Sequence, residues 1–316
     1  HSIGKLYDTF GTPRDLIRVF LEEKEIEFAE DDFNDRFDAA LQELQKQSGI
    51  GQTHRKSAVS PVYAEVLEKT GPNVFHGYDS TTIENARVVA ILNGEKPQDS
   101  LSEGSVGSVI LTETPFYAES GGQVGDVGKM ASASATVAVA DKFSPIQGLI
   151  VHKVRVEKGE LRVGDEVVVS VDVERRDATR RNHTATHLVH AALKEVLGTH
   201  VKQAGSVVAP NYLRFDFTHY QPMTEAEIAE VEDLVNNYIL QNEPVTTNMM
   251  ALEEAMRSGA VAMFGEKYGS EVRVLSVGDG LFSRELCGGT HVRATGDIGA
   301  FKITSDEAIA SGVRRI

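Results

Sequence analysis

Apolar residues recur at helical spacing in the first part of the chain. TPRDLIRVFLEEKE places apolar side chains three and four positions apart, behind Thr12 as a plausible N-cap and Pro13 at the first helical position. DDFNDRFDAALQELQKQSG repeats the pattern and stops at Gly49. SPVYAEVLEKTG predicts a third, short helix with Ser60 as its cap and Pro61 at its first position. The sequence therefore predicts a helical N-terminal segment.

From about residue 73 the pattern changes to short strands separated by glycine turns. ARVVAILNGEK predicts two strands joined by a turn at Asn93-Gly94, and four more apolar stretches follow: GSVGSVILTETPFY, ATVAVADKF, GLIVHKVRVEKGE and DEVVVSVDVERR. Many short strands at regular spacing are typical of a small β-barrel or sandwich. EKGELRVGDEVVVSVD predicts a hairpin that closes the barrel.

Helices and strands mix after Arg181. HTATHLVHAALKEVLG predicts a helix that ends at Gly198, and TEAEIAEVEDLVNNYILQN predicts a long helix opened by a capping box between Thr224 and Glu227. RFDFTH, PVTTNMM and EVRVLSVGDG predict strands, ALEEAMRSG a helix, and GAFKITSDEAIASGVRRI one or two further strands. The predicted fold class is α+β and multidomain. Its three parts are a helical segment over residues 1–75, a β-barrel with a glycine-rich loop over 76–176, and an α+β core over 177–316.

Composition narrows the class of protein. Of 316 residues, 41% are hydrophobic and 25% charged, which is ordinary for a globular protein outside the membrane. The longest apolar runs are too short to span a bilayer, and the first residues have no signal-peptide pattern. A single cysteine excludes an internal disulfide, so we expect a reducing, cytoplasmic setting and no membrane partner.

The charge distribution is acidic overall with two basic clusters. A net charge of −15 argues against non-specific coating of nucleic acid, because neutralising phosphates requires clustered cations. Each cluster alone is better explained as solvated charge at a domain edge, although the first lies close to a pair of histidines. The clusters contain Arg175, Arg176, Arg180 and Arg181 in ERRDATRRNH, and Arg314 and Arg315 in SGVRRI.

Two separated motifs offer metal ligands. His183 and His187 in RRNHTATHLVH are four residues apart, which on a helix directs both rings to one side. Cys287 and His291 in ELCGGTHVR have the same spacing. Three imidazoles and one thiolate form a ligand set that zinc prefers, so the two motifs together predict one zinc site. A metalloprotease helix is excluded, since Thr184 occupies the position of its general-base glutamate.

A glycine-rich loop is the third candidate element. FYAESGGQVGDVG carries Gly121, Gly122, Gly125 and Gly128, which permit close approach of the backbone to a ligand. The loop lacks the Lys-Ser/Thr of a phosphate-binding Walker loop and the dinucleotide fingerprint. On its own it is equally well explained as a tight turn at a barrel corner.

The motifs in their order resemble the editing region of bacterial alanyl-tRNA synthetases. The resemblance rests on KLYDTFGTPRDL, TETPFYAESGGQVGDVG, HTATH, VKQAGS, CGGTH and ASGVRRI, and it covers essentially the whole chain. Free-standing alanyl-tRNA editing proteins share the barrel and zinc domain, but the helical N-terminal segment fits the synthetase better. No class II aminoacylation core is recognisable before Ile3, and the chain stops at Ile316. We therefore expect a fragment of an alanine-tRNA ligase that lacks its ligase core and a C-terminal oligomerisation domain.

The resemblance implies a zinc-dependent deacylase that hydrolyses tRNA(Ala) wrongly charged with serine or glycine, with no DNA partner. A pocket built for alanine excludes glycine and serine poorly, so a second, hydrolytic site is required. Zinc bound there would polarise the ester, activate water or only orient the substrate, and four protein ligands favour the last or a structural role. By motif match the implied site residues are Gln203 and Thr114 for catalysis and serine recognition, and Gly121, Gly122 and Gln123 for substrate binding. Arg180 and Arg181 of the basic cluster are expected to bind the tRNA, and His183, His187, Cys287 and His291 are expected to bind the zinc.

Two other functions are compatible with the residues. One is a non-catalytic tRNA-binding module with a structural zinc, which hydrolysis of charged tRNA would distinguish. The other is a hydrolase of small amides, which is less well supported because the sequence shows no nucleophile paired with a base.

Overall fold

The computed structural model describes residues 60–262 and 268–316. The two helices predicted between Thr12 and Gly49 lie outside these residues. The third predicted helix is present as α1, Pro61–Thr70, with Pro61 in its first turn, but the Ser60 side chain makes no capping hydrogen bond. None of the helices in the described ranges has an apolar stretch long enough to cross a bilayer.

Six antiparallel strands close into the predicted barrel. Around the barrel the order is β2, β5, β9, β8, β7 and β10, and β10 pairs back onto β2. Apolar residues alternate along the strands and fill the interior, as Val154 and Val156 do on β9 while Arg155 points outward. The strand bounds are β1 Val74–Phe75, β2 Thr82–Asn93, β3 Lys96–Gln98, β4 Ser100–Ser102, β5 Val106–Leu111, β6 Glu113–Thr114, β7 Gly128–Ala131, β8 Ala135–Ile146, β9 Leu149–Arg162 and β10 Glu166–Val171.

The pairing of β10 differs from the prediction. The turn after Asn93 does join β2 to β3 as an antiparallel pair, but β9 and β10 do not form a hairpin. The residues between them hydrogen-bond to β2 instead, since Gly164 N donates to Val88 O and Val88 N donates to Asp165 O. These bonds carry the chain across the barrel end, so β10 closes the barrel between β2 and β7.

The remaining residues form an α+β part built around one long helix. α2 begins ten residues earlier than predicted, because Asp172 accepts a hydrogen bond from Arg175 N, and it ends at Gly198 as expected. The predicted capping box of α3 is complete, with Thr224 and Glu227 each bonding the other's backbone. The bounds are α2 Val173–Leu197, β11 Gln203–Val208, β12 Leu213–Thr218, α3 Glu225–Gln241, β13 Val245–Ala251, α4 Leu252–Arg257, β14 Glu271–Val277, β15 Ser283–Leu286, a 3₁₀ turn Thr295–Ile298, β16 Glu307–Ala310 and β17 Val313–Arg315.

Two antiparallel sheets support this helix. One has the order β11-β12-β17-β16 and the other β13-β14-β15. Leu188, Val189 and Leu193 of α2 share an apolar core with Phe215 and Phe217 of β12 and with α3. The helix is therefore clamped along much of its length, which fixes the directions of its polar side chains.

A buried ion pair joins the first turns of α2 to the barrel. Arg176 has no exposed surface, and its guanidinium bonds both carboxylate oxygens of Asp126, with Nε to Oδ1 at 2.7 Å. It also donates to Gly77 O at 2.6 Å and Pro115 O at 2.7 Å. The expectation of a solvated basic cluster is thus wrong for Arg176, because folding places this arginine beside a buried carboxylate.

The C-terminal arginines are also paired internally. Arg314 is buried and its Nε lies 2.7 Å from Asp306 Oδ1, while Arg315 binds both oxygens of Asp216. These ion pairs hold β17 beside β12, which carries Asp216, and beside Asp306, which precedes β16.

A hydrogen-bonded chain fixes the barrel end of the glycine-rich loop. His152 Nδ1 lies 3.0 Å from Val109 O and its Nε2 lies 2.8 Å from the Thr114 hydroxyl, which accepts from Phe116 N at 3.1 Å. A carbonyl only accepts, so Nδ1 carries the proton and Thr114 donates to Nε2. Burial lowers the pKa of His152 to about 4, although the Val109 carbonyl acts in the opposite direction.

Replacing Arg176 by Met is expected to leave Asp126 as an uncompensated buried charge and to cost about 3–5 kcal/mol of unfolding free energy. Urea unfolding followed by circular dichroism measures this. Arg175→Met, a neighbouring exposed arginine, is the matched control and should change stability little. Equal stability of the two variants would contradict the clamp role.

Neutral His152 makes stability depend on pH. Its pKa is near 6.5 when unfolded and about 4 when folded, so the unfolded chain binds the extra proton and stability falls as pH drops from about 6.5 toward 4. The contribution is about 3 kcal/mol. His152→Gln should remove this part of the pH dependence in urea titrations made between about pH 7 and 4. An unchanged pH dependence would be inconsistent with a neutral, buried imidazole.

Candidate metal centre

The two predicted ligand motifs meet in the structure. His183 and His187 face one side of α2, and Cys287 and His291 lie in the loop that follows β15. One ligand atom from each of the four residues lies within 4.8 Å of the others. His183 and Cys287 are 104 positions apart in the sequence, and the fold brings both motifs to one point.

The spacing of the ligand atoms suits a tetrahedral ion. Cys287 Sγ lies 3.5 Å from His183 Nε2 and 3.3 Å from His291 Nε2. Zinc bonds of about 2.0–2.1 Å to nitrogen and 2.3 Å to sulfur give a tetrahedron whose edges are about 3.5 Å. The donor set and its dimensions thus fit a zinc-type ion, and the group can bind a metal.

Each histidine of the ligand set is hydrogen-bonded through Nδ1, the ring nitrogen that would not bind the metal. His183 Nδ1 lies 2.7 Å from Gln123 Oε1, and His187 Nδ1 lies 2.7 Å from Glu285 Oε2. His291 Nδ1 lies 3.2 Å from the Thr184 hydroxyl. Partners of this kind fix the tautomer and ring direction of a metal-binding imidazole. His187 Nε2 is correspondingly buried with no hydrogen-bond partner among the described residues.

A second histidine shares the Glu285 carboxylate. His190 Nδ1 lies 2.8 Å from Glu285 Oε1, while its own Nε2 is buried and has no partner in the described part of the chain. His190 therefore fixes the carboxylate that orients His187. Glu285 is in turn held from both sides by imidazoles.

Electrostatics in the cluster favour the charged forms of its two acidic groups. Burial alone would raise the pKa of Cys287, but His183, His291 and His187 outweigh it and hold that pKa well below its ordinary value. Burial would likewise raise the pKa of Glu285, and the nearby His187 and His190 lower it far below its usual range. The cysteine is accordingly set up as a thiolate, which is the form that binds metals.

Two glycines allow the glycine-rich loop and the cysteine loop to approach this point. A side chain at Gly289 would overlap the His183 ring and would lie 2.9 Å from Gln123 Oε1. Gly122 has a φ of +83°, and a side chain there would lie 2.6 Å from Ser206 O. The loop between β6 and β7 thus lies directly on β11, and Gln123 reaches the metal ligands.

Gln123 is enclosed by hydrogen bonds and has no exposed surface. Its Oε1 accepts from Thr290 N at 2.8 Å in addition to His183 Nδ1, and its Nε2 donates to Thr290 Oγ1 at 2.9 Å. The side chain predicted to bind substrate thus joins the barrel loop to both ligand motifs. That contact is visible only in the folded protein.

The cysteine loop is also held from the opposite side. Arg273 donates to Cys287 O at 3.0 Å and to Gly289 O at 2.7 Å, and its guanidinium lies 4.0 Å from the centre of the Tyr78 ring. The Tyr78 hydroxyl donates to Gly288 O at 2.6 Å. A residue preceding the barrel therefore contacts the metal-ligand loop.

Thr114 and Gln203, the two residues predicted to act on the substrate, make no hydrogen bond to the four possible metal ligands within the described residues. Thr114 is fully buried and its hydroxyl contacts His152 and Phe116. Gln203 is half-buried at the start of β11, and its side chain makes no hydrogen bond within residues 60–262 and 268–316. A register shift between Gln203 and Gly205 places Gln203 opposite Phe217, on the face that packs against α2.

Four residues that support the metal centre were not predicted from the sequence. Glu285 and His190 stand inside the two metal motifs, and His190 follows His183 by seven residues, which keeps it on the same side of the helix. That spacing was a usable signal. Arg273 and Tyr78 carry no such signal. Tyr78 contacts Gly288 across 210 positions, and Arg273 reaches the carbonyls of Cys287 and Gly289 only because β14 pairs with β15.

Two family models and several curated proteins match this chain. Residues 1–175 match the family of class II (A) tRNA synthetases, and residues 272–316 match the threonyl and alanyl tRNA synthetase second additional domain. An alanine–tRNA ligase of Parvibaculum lavamentivorans is 47% identical over 99% of this chain and 35% of its own length. Those of Mesorhizobium japonicum and an Anaeromyxobacter species are 44% and 47% identical over 99% of the chain and 36% and 34% of their own lengths.

These matches show that the chain belongs to the class II tRNA synthetases. More narrowly, the chain belongs to the alanyl-tRNA synthetase family. It spans about a third of the length of the curated relatives it matches.

Replacing Glu285 by Gln is expected to weaken zinc binding about 10–100-fold, because the variant keeps the size of the side chain but loses the charge that orients His187. Competition with a zinc-binding dye measures the affinity. Glu271→Gln, an exposed glutamate on β14, is the matched control. If both variants bind zinc as tightly as the unchanged protein, Glu285 does not support the centre.

Proposed function

We propose that this chain is the editing part of an alanyl-tRNA synthetase and hydrolyses the ester of tRNA(Ala) carrying serine or glycine. The observation that carries the proposal is the meeting of three motifs at one centre. The ligand atoms of His183, His187, Cys287 and His291 lie within 4.8 Å of one another, and Gln123 from the glycine-rich loop hydrogen-bonds His183 and Thr290. The family membership supplies the substrate, charged tRNA(Ala).

In this proposal each of the three segments 1–75, 76–176 and 177–316 has its own role. The first continues the tRNA-recognition region, the second is the barrel with the glycine-rich loop, and the third is the zinc-containing editing core. α2 crosses from the second to the third and carries both the barrel clamp Arg176 and the ligands His183 and His187. Oligomerisation through a further domain of the full-length enzyme is part of the same proposal.

Zinc bound at the centre would supply a positive charge for orienting or polarising the ester. Because four side chains converge there, they would fill a tetrahedral ion and favour the orienting role. The chain's own residues position the metal ligands. Gln123 and Glu285 orient the rings of His183 and His187, and the glycine-rich loop closes one side of the centre. The guanidinium groups of Arg180 and Arg181 are proposed to bind the RNA.

Gln203 and Thr114 are proposed to act on the substrate itself. The bulge on β11 turns Gln203 to the α2 side, where its free amide is suited to the ester end common to both substrates. Thr114 already donates to His152 and accepts from Phe116 N, which leaves one lone pair of its hydroxyl oxygen for a serine hydroxyl. Since Thr114 is fully buried, this contact requires the following loop to move.

Hydrolysis of pre-charged Ser-tRNA(Ala) and Gly-tRNA(Ala) by this chain tests the proposal, with Ala-tRNA(Ala) as the substrate that should be spared. Zinc content is measured on the same sample. Binding of tRNA without hydrolysis would instead support a non-catalytic tRNA-binding module with a structural zinc. No hydrolysis by the zinc-loaded protein would overturn the editing function for this chain.

Two variants separate the roles of the site residues in single-turnover hydrolysis. Gln203→Ala should slow both substrates, with Gln98→Ala on exposed β3 as its matched control. Thr114→Val should slow Ser-tRNA(Ala) more than Gly-tRNA(Ala), by about 0.5–1.5 kcal/mol or two- to tenfold, because only serine has the hydroxyl. An active Gln203 variant, or equal losses on both substrates for the Thr114 variant, would remove the respective assignment.

A further inference from the structure

A second cavity, of about 290 Å³, lies next to Glu285. One wall is formed by α2, and the other by β15 and the turn that precedes it. The cavity contains none of the four possible metal ligands, but Glu285, which orients His187, forms part of its lining. Ligand pockets usually measure about 300–1,000 Å³, so this cavity has room only for a small molecule.

Ser283 places an unpartnered polar atom in this lining. The residue is 4% exposed, and its hydroxyl oxygen is buried with no hydrogen-bond partner in the described part of the chain. Ser283 lies two residues before Glu285 on β15, so both side chains point to the α2 side of the strand. Because buried polar groups in folded proteins are nearly always hydrogen-bonded, this hydroxyl is suited to bonding a ligand.

Charged side chains of both signs surround the cavity in equal number. Lys194 and Arg284 are the cations, and Glu195 and Glu285 are the carboxylates. Glu285 is already bound by two imidazoles, and Arg284 donates to two backbone carbonyl oxygens. The side chains of Lys194 and Glu195 make no ion pair or hydrogen bond within residues 60–262 and 268–316. One free charge of each sign favours a ligand that carries both signs over a simple anion or cation.

The rest of the lining is apolar. Ala191 of α2, Val261 and Phe282 contribute to it, and Leu281 lies at the rim with an exposed fraction of 87%. Apolar walls with a few polar groups are typical of sites for small molecules. The cavity therefore offers a hydroxyl, an ammonium, a carboxylate and a short apolar surface to one ligand.

We propose that this cavity binds a free α-amino acid with a small side chain, such as alanine, serine or glycine. The ligand carboxylate pairs with Lys194 and accepts a hydrogen bond from Ser283. The ligand ammonium pairs with Glu195, and the side chain lies on Ala191 and Val261. A zwitterion of this kind gives a partner to each of the three unpartnered groups. The proposal does not depend on hydrolysis of charged tRNA, since its ligand is the free amino acid.

Saturation-transfer NMR of the zinc-loaded protein without RNA tests this site. The probes are L-alanine, L-serine and glycine. Propionate carries only the carboxylate, ethylamine carries only the ammonium, and L-phenylalanine tests the size limit. The variants are Ser283→Ala and Lys194→Met, and Lys158→Met, an exposed lysine on β9, is the matched control for the loss of charge. Gln203→Ala reports whether the amino acid binds in the proposed substrate site instead.

A ligand of about six non-hydrogen atoms should bind with a dissociation constant of about 1 mM. We expect the three small amino acids to bind the unchanged protein and the lysine control alike. Propionate and ethylamine should bind about tenfold more weakly, because each leaves one charge of the cavity unpaired. Ser283→Ala and Lys194→Met should each weaken binding of the amino acids about tenfold. Ser283→Ala breaks no hydrogen bond among the described residues, so its unfolding temperature without ligand should be unchanged.

Equal binding of propionate and L-alanine would make the cavity a simple anion site and overturn the proposal. Binding of L-phenylalanine as tight as that of L-alanine, or no saturation by any amino acid below about 20 mM, would overturn it as well. Weaker binding by Gln203→Ala but not by Ser283→Ala would place the amino acid in the proposed substrate site, with the same consequence. Hydrolysis of Ser-tRNA(Ala) is measured separately, so its failure and the failure of this site are distinguishable.

Discussion

An imidazole binds a metal through one nitrogen only, and the metal centre depends on what holds the other. Gln123, Glu285 and Thr184 each engage an Nδ1 atom, so three Nε2 atoms are left for one point beside Cys287. These three partners come from the barrel loop, from β15 and from α2 itself. The centre therefore forms only when elements from most of the described chain are in register with one another.

The same dependence explains why the barrel and the α+β part are joined so firmly. Gln123 links the glycine-rich loop to His183 and Thr290, while Arg176 links the start of α2 to Asp126 of that loop. Both links are buried and charged or polar, which makes them directional in a way that apolar packing is not. Together they fix the rotation of α2 about its axis as well as its position.

Local sequence patterns predicted the elements that short-range physics controls. The capping box at Thr224, the glycine stop at Gly198 and the alternation in β9 were readable because each involves neighbours within a few residues. The pairing of β10 with β2 was not, because turn residues after β9 bond to a strand some 80 positions earlier. The ligand set followed from spacing and residue chemistry, whereas the roles of Arg176 and Arg273 came from contacts that no local pattern encodes.

The continuity of α2 also limits how this region can be divided or recombined. A cut between residues 176 and 177 would fall within the first turns of the helix. The ion pair of Arg176 and Asp126 would then stay with the barrel and would no longer hold the rest of α2. The half that carries the metal ligands would also be separated from Gln123, the residue that fixes the tautomer of His183. Exchange of the metal-bearing part between related proteins is therefore expected to succeed only when the barrel is inherited with it, as one evolutionary unit.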